Sequence, residues 1–242
     1  MKVEYIDHFG SDLAVVNDAK VSFAKESTEM GEKEISLINY LARGIPSKEF
    51  ENLIAEIAEE TDRTRVKNIV TQLTRTATHW VPFAHNGIKL KMSAPVPIRV
   101  HCFKHKIGFV ESEESRRYIT STPELHIPKA FHIRPSNIKQ GSSNDISEHS
   151  EYFLKRYKHS CTRAISLYQQ MIDSGIAPEE ARYILPQGVI VNWRWTGNLA
   201  AFARYYNQRS DSHAQKDDNE LAEQVRNIIE PLFPYSWKAL TE

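Results

Sequence analysis

Cysteine is nearly absent from this chain: Cys102 and Cys161 are the only two in 242 residues. They show no metal-ligand spacing, so neither a disulfide framework nor a metal site is expected, and a reducing cytoplasm is the expected compartment. Net charge is missing as well, because 31 Lys and Arg balance 31 Asp and Glu. That balance removes any general electrostatic case for nucleic acid, and locally clustered cations suit a small anion better than a duplex. No long apolar run occurs, and Met1-Lys2-Val3-Glu4-Tyr5 carries an acid early. Neither a signal peptide, a transmembrane span nor a membrane partner is therefore expected. There is no Gly-x-Gly-x-x-Gly fingerprint, no internal repeat and no low-complexity linker, so a dinucleotide, if bound, is not held by a Rossmann turn.

What is present is ordinary globular composition, 40% hydrophobic and 26% charged. This fits one sizeable core, and the expected organisation is a single domain over residues 1–242. Val3 to Ile6 reads as a strand. Phe50, Leu53, Ile54 and Ile57 mark one helical face, with Ser47 read as its N-cap, and Val66, Ile69, Val70 and Leu73 mark another. Ile88, Leu90 and Met92 alternate with Lys89, Lys91 and Ser93, the pattern of a half-buried strand opened by an Asn86-Gly87 turn. Residues 135–144 read as a loop. Tyr157, Cys161, Ala164, Ile165, Tyr168 and Ile172 give a helix ended by Gly175, and Pro178 opens the next with Glu179 and Glu180 at its positive end. Leu199, Phe202 and Tyr206 give a further helix. Leu221, Val225, Ile228 and Ile229 give a last one, stopped by Pro231. The class is α+β.

The densest chemistry lies in Lys104-His105-Lys106-Ile107, followed by Ser112-Glu113-Glu114-Ser115-Arg116-Arg117-Tyr118. It follows the apolar run Ala94-Pro95-Val96-Pro97-Ile98, so a buried element delivers a polar cluster to a cleft. Cations of this kind suit a phosphorylated ligand, while the acids and serine can read a heterocycle by hydrogen bonds. Taken singly, each residue has an ordinary explanation: a loop charge, a structural serine, or a core histidine satisfied by backbone. Arg182 and Arg209, from their surroundings alone, read as a solvated face or a surface ion pair.

The cluster resembles the signature of flavin-dependent thymidylate synthases, Arg-His-Arg, a spacer, then Asn-Glu-x-Ser-x-Arg-Tyr, with a spacer one residue longer here. Three further blocks follow that family's order: Asp18-Ala19-Lys20-Val21-Ser22-Phe23, His79-Trp80-Val81-Pro82-Phe83-Ala84-His85, and a long one from Ala181-Arg182-Tyr183-Ile184-Leu185-Pro186 to Arg209-Ser210-Asp211-Ser212-His213-Ala214-Gln215. The resemblance implies a mixed or antiparallel sheet flanked by helices and a homotetramer with shared active sites. It also implies methylation of dUMP, with FAD as cofactor and NADPH and methylenetetrahydrofolate as co-substrates.

By the same resemblance, Arg209 and Ser115 are the catalytic candidates. His101, Glu113, Ser115, Arg116, Arg117, Arg182 and Arg209 are the nucleotide set. Ser22, His79, Lys104, His105, Lys106, Ile107, Ser112, Glu113, Asn198, Arg204, His213 and Gln215 are the flavin set. Cys102 precedes the signature and Cys161 lies on an apolar face, and the resemblance implies that no cysteine nucleophile is needed. The chain also departs from the family. Lys104 and Lys106 replace planar guanidinium forks by point charges. Ser112, Val81, Ala84, Ala200 and Arg204 stand where Asn, Thr, Glu, Arg and Asn are usual. These changes fall on the flavin side more than the nucleotide side. Two alternatives follow: a hydroxymethyl product formed by water capture, and a non-catalytic nucleotide-binding homologue.

Overall fold

The alternation around Ile88–Met92 is realised as a central strand. In the computed structural model, which describes residues 1–73, 79–134, 142–211 and 214–242, Ile88, Leu90, Met92 and Ala94 have no exposed surface, while Lys89 points outward. This strand, β2 (Gly87–Pro95), joins β1 (Lys2–Phe9), β3 (Phe109–Glu113) and β4 (Ile190–Gly197) in a four-stranded antiparallel sheet of order β1-β2-β4-β3. β1 is longer than the Val3–Ile6 expected, and β3 and β4 were not legible as strands. β3 mixes charge with apolar residues. β4, IVNWRWTG, buries Trp193 and Trp195 as well as Ile190, so it shows no simple hydrophobic alternation.

The chain divides into two compact units. The first comprises Met1–Ile6, Lys89–Thr196 and Tyr205–Val225. Here β2 runs straight into α5 (Val96–Cys102), because Pro95 and Pro97 fix extended and first-turn backbone in succession. Ile98 and Cys102, one turn apart, are buried. Then α6 (Ser150–Asp173) buries Cys161 and Tyr168 on the expected face and ends at Gly175, whose φ of 81° is the left-handed conformation glycine adopts freely. α7 (Pro178–Ala181) begins at proline as its sequence requires and leads into a 3-10 turn, Arg182–Ile184. α8 (Leu199–Arg209) ends in this unit, and α9 (Lys216–Ile229) begins in it.

The second unit comprises Asp7–Ile88, Gly197–Arg204 and Arg226–Glu242. It holds α1 (Asp12–Lys20), α2 (Glu32–Arg43), α3 (Ser47–Glu59), α4 (Arg63–Leu73) and α10 (Pro234–Thr241). α3 and α4 pair through Ile45, Leu53 and Ile69, with Phe50, Ile57 and Leu73 alongside. Ser47 is not the N-cap of α3. Pro46 holds that position, and the Ser47 hydroxyl is buried without a hydrogen-bond partner. Asn86 directly precedes β2, where the turn was read, and has a further role. It is buried, its Nδ2 donates to the Phe83 carbonyl at 3.0 Å, and its Oδ1 accepts from the Leu199 N–H at 2.7 Å, capping the first turn of α8. Of the loop expected at 135–144, residues 135–141 lie outside the described residues.

The helix α10 was not foreseen. After Pro231 the sequence offers only eight helical residues, too few to hold a helix by propensity. Its start is secured from far along the chain: buried Asp12 accepts from the Tyr235 N–H and the Ser236 N–H, both at 2.9 Å. A carboxylate on two orphan donors at a helix start is favoured by hydrogen bonding and by the helix dipole. Asp12→Ala leaves those donors buried and unpaired, and should lower the unfolding free energy by about 1–3 kcal/mol. Asp12→Asn, which keeps one acceptor, should lose less. Urea denaturation midpoints test this, and an unchanged midpoint in the alanine variant would refute the role.

Candidate functional site

The period of β3 decides which of its side chains point together. Phe109, Glu111 and Glu113 share one face, and Val110 and Ser112 the other. Phe109 is buried, stacked on Trp195 with ring centroids 4.2 Å apart, and Trp195 meets Tyr205 edge-on at 4.9 Å. Tyr205 in turn takes the His105 ring edge-on at 5.1 Å. This aromatic ladder fixes the Lys104-His105-Lys106 turn on the core. His105 faces inward, whereas Lys104 and Lys106 remain exposed. Lys106 pairs with Glu111 at 2.6 Å and lies 5.6 Å from the Phe103 ring centroid.

Glu113, on the Phe109 side of β3, meets Arg99 of α5. Arg99 Nε is 3.3 Å from Glu113 Oε1 but is not aligned as a hydrogen bond, so charge rather than direction holds the pair. Burial pushes the Glu113 carboxyl above its ordinary range, and Arg99 pulls against that shift. Both line a cleft of about 510 Å³, together with Glu114, Ser115, Arg116, Arg182 and Tyr183. Thus four of the expected nucleotide residues, Glu113, Ser115, Arg116 and Arg182, share one cavity, where Arg99 adds a third guanidinium to those of Arg116 and Arg182. Arg182 Nε donates to the Glu179 carbonyl at 3.1 Å, and Arg116 donates to the Ser121 carbonyl. Ser115 Oγ accepts from the Arg117 N–H at 3.3 Å, while Arg117 reaches Glu179 at 3.4 Å on the surface and does not line the cleft.

Arg209 and His101 belong to a second cluster, outside that lining. Arg209, the last residue of α8, donates through Nε to His105 Nε2 at 3.1 Å and through Nη2 to the His101 carbonyl at 3.2 Å. His101 Nδ1 is 2.6 Å from Asp218 Oδ2 on α9. Asp218 is 1% exposed, and burial raises its carboxyl pKa against the lowering pull of His101 and Arg209.

The other expected flavin residues are dispersed. Ser112 and Ile107 are exposed, on β3 and on the turn before it. Gln215 lines a larger pocket of about 800 Å³ with Lys129, His132 and Lys216, whose lining among the described residues includes none of the other expected residues. The smaller cleft, by contrast, gathers three arginines and two glutamates. In the second unit, Ser22 is exposed in the 3-10 turn Val21–Phe23. His79 stacks on Tyr40 at 5.7 Å, and Asn198 caps α8 by accepting from the Ala201 N–H at 2.9 Å. Arg204 is exposed on α8. His213 lies outside the described residues.

Two charged residues escaped the sequence reading: Arg99 and Asp218. Each had a visible signal. Arg99 interrupts the apolar run Val96-Pro97-Ile98, and Asp218 occupies the helical face of Leu221, Ala222 and Val225, where an apolar residue belongs. A charge at a core position requires a partner, and both have one.

Residues 4–235 match the family described as thymidylate synthase complementing protein. The chain is 26% identical to a flavin-dependent thymidylate synthase of Thermosipho africanus over 97% of this chain and 88% of the relative. It is 25% identical to that of Thermotoga neapolitana over 98% of this chain and 89% of the relative. Its fold is similar to the crystal structure of the UMP/dUMP methylase PolB from Streptomyces cacaoi bound with 5-Br dUMP, with a TM-score of 0.75, 24% identity, and coverage of 99% of this chain and 94% of that one. For the same methylase bound with 5-Br UMP the TM-score is 0.69 at 26% identity, covering 99% and 93%.

The cysteines separate from this chemistry. Burial pushes the Cys102 thiol up to about 12, beside the Tyr205 hydroxyl at 3.9 Å, and burial also raises Cys161. A thiol held so far above pH 8 is scarcely ionised and is a poor nucleophile. The native protein should therefore resist a disulfide reagent such as Ellman's at pH 8, with two thiols released on denaturation. A thiol that reacts rapidly in the native state would contradict this.

Proposed function

The chain belongs to the thymidylate synthase complementing protein family, the flavin-dependent thymidylate synthases, and from that premise we propose that it methylates dUMP at C5 to give dTMP. The observation that carries the proposal is the cleft in which Arg99, Arg116 and Arg182 surround Glu113 and Ser115. Guanidinium forks match phosphate oxygens in pairs, and a carboxylate can accept from a uracil imide N–H. That combination of charge and hydrogen-bonding groups suits a pyrimidine monophosphate. Arg182 and Arg116 are assigned to the phosphate and Glu113 to the base. Arg117 is assigned to the nucleotide from its place in the signature, and Ser115 to positioning beside the base. Arg209 and His101, which do not line that cleft, are assigned to the pyrimidine from their places in the family's pattern, and a fixed guanidinium there favours the negative charge that develops as C5 is activated.

The one-carbon unit is proposed to come from methylenetetrahydrofolate and the reducing equivalents from NADPH, with FAD as cofactor. The residues present fit a flavin dinucleotide in kind. Lys104 and Lys106 are exposed cations for a diphosphate, and Gln215 and Asn198 offer amides. When bound, flavin supplies the redox chemistry, and the protein supplies binding and orientation. Ser22, His79, Lys104, His105, Lys106, Ile107, Ser112, Glu113, Asn198, Arg204, His213 and Gln215 remain the proposed flavin set, and His105 also accepts from Arg209. The whole chain is proposed to act as one synthase domain in a cytoplasmic homotetramer with shared active sites.

Incubation of the wild-type protein with dUMP, methylenetetrahydrofolate, NADPH and FAD should yield a nucleotide whose mass has gained a methyl group. A hydroxymethyl product would overturn the methylation step, and a folded protein that binds no flavin would overturn the enzymatic reading. Arg209→Ala should abolish or greatly lower product formation while flavin still binds, as judged by its absorbance. Arg182→Ala should chiefly weaken dUMP binding, by about 1.5–3 kcal/mol for one lost charge-assisted hydrogen bond, measured by calorimetry. If Arg209→Ala matches the wild type, the active site is misplaced.

A further inference from the structure

Asp218 is placed where the physics of burial gives least reason for an acid. It stands in the first turn of α9, where a carboxylate complements the helix dipole, but Asp217 beside it already fills that role and is more exposed. A buried carboxylate costs more in desolvation than an apolar residue at the same position, so stability alone does not account for it. Its Oδ2 is 2.6 Å from His101 Nδ1 and 3.9 Å from Arg209 Nη1, and its Oδ1 is buried without a hydrogen-bond partner. The cluster spans α5, α8, α9 and the turn carrying His105, and Arg209 is its centre.

The bonding pattern fixes each proton. An ionised carboxylate only accepts, so the His101 proton that faces Asp218 sits on Nδ1. In the neutral ring Nε2 of His101 is then the acceptor, on a side chain that is 36% exposed. His105 Nε2 accepts from Arg209 Nε, so His105 is neutral there and carries its proton on Nδ1. Arg209 is thus tied to His105 and to the His101 carbonyl, with Asp218 balancing its charge from below.

We propose that Asp218 is a positioning residue: it orients His101 so that Nε2 is presented as a hydrogen-bond acceptor to a donor group of the nucleotide, an imide N–H or a ribose hydroxyl, and it holds Arg209 in the direction set by His105. This rests on the function proposed above. Asp218 does not touch the nucleotide and acts through these two side chains.

The test uses the full-length protein with FAD in two variants, Asp218→Ala and Asp218→Asn. Asparagine keeps an oxygen that can accept from His101 Nδ1–H, whereas alanine does not. At saturating dUMP, Asp218→Ala should lower kcat between about ten- and a hundredfold, the scale set by small misplacement of catalytic groups. Asp218→Asn should recover most of that loss. Histidine ¹⁵N NMR of the protein without substrates gives a readout that needs no turnover: His101 should carry its proton on Nδ1 in the wild type and in Asp218→Asn, and should lose that preference in Asp218→Ala. A folded Asp218→Ala with unchanged kcat and KM would overturn the proposal. So would a wild-type His101 protonated on Nε2 alone. Should the alanine variant not fold, an asparagine variant with His101 shifted to the Nε2–H form and full turnover would do the same. If the wild type makes no product, the proposed reaction fails, while the NMR result still judges the placement of His101 by Asp218.

Discussion

A carboxylate removed from water must find donors, and two buried aspartates impose that requirement on this fold. Asp218 meets it with His101 and Arg209, and so ties the ends of α5 and α8 to the start of α9. Asp12 meets it with two backbone N–H groups at the start of α10, and so holds a helix of only eight residues. In the Asp12 case the bonds are worth more than a surface salt bridge, because the backbone N–H groups at the start of α10 would be left unpaired if the acid were lost. Each aspartate organises the unit to which it belongs.

Around the Asp218 cluster, the aromatic ladder Phe109–Trp195–Tyr205–His105 does the remaining placement. It turns a strand residue, a central-strand tryptophan and a helix residue into a rigid support for one imidazole. The support explains how the motif tolerates lysines on either side of that histidine. His105 points into the core and meets Arg209, while Lys104 and Lys106 project outward as exposed point charges. The substitution of lysine for planar forks therefore alters the solvent side of the turn and leaves the inward contact of its histidine in place.

The cleft shows the same division of labour. Strand period puts Glu113 on the face of Phe109, and helix period puts Arg99 one turn from Phe103 and beside Val96, which also lines the cavity. The pair is then partly buried, so Glu113 is neither a free surface acid nor a saturated one. A carboxyl raised by burial and drawn back by one arginine keeps lone pairs available for a ligand N–H. The cations Arg116 and Arg182 arrive by unrelated local structure, one from the turn after β3 and the other from a 3-10 turn after α7.

Much of this was legible in the sequence. The central strand, the long helix with Cys161 and Tyr168 inward, the proline start of α7 and the apolar face of α9 all follow from periodicity and from proline and glycine chemistry. The signature, in order with three other blocks, named the family and four of the residues that line the cleft, Glu113, Ser115, Arg116 and Arg182. Other features were decided only by tertiary structure. α10 exists because Asp12 caps it from more than two hundred residues away. Asn86, which reads as a turn, is buried because its amide satisfies the first turn of α8. Arg99 and Asp218 gain their roles only when their partners, Glu113 and His101, are brought to them. Local pattern records which residues can be buried or helical, since that depends on neighbours within a turn. It does not record which donor meets which acceptor across the fold, because that pairing is fixed only when distant elements close on one another.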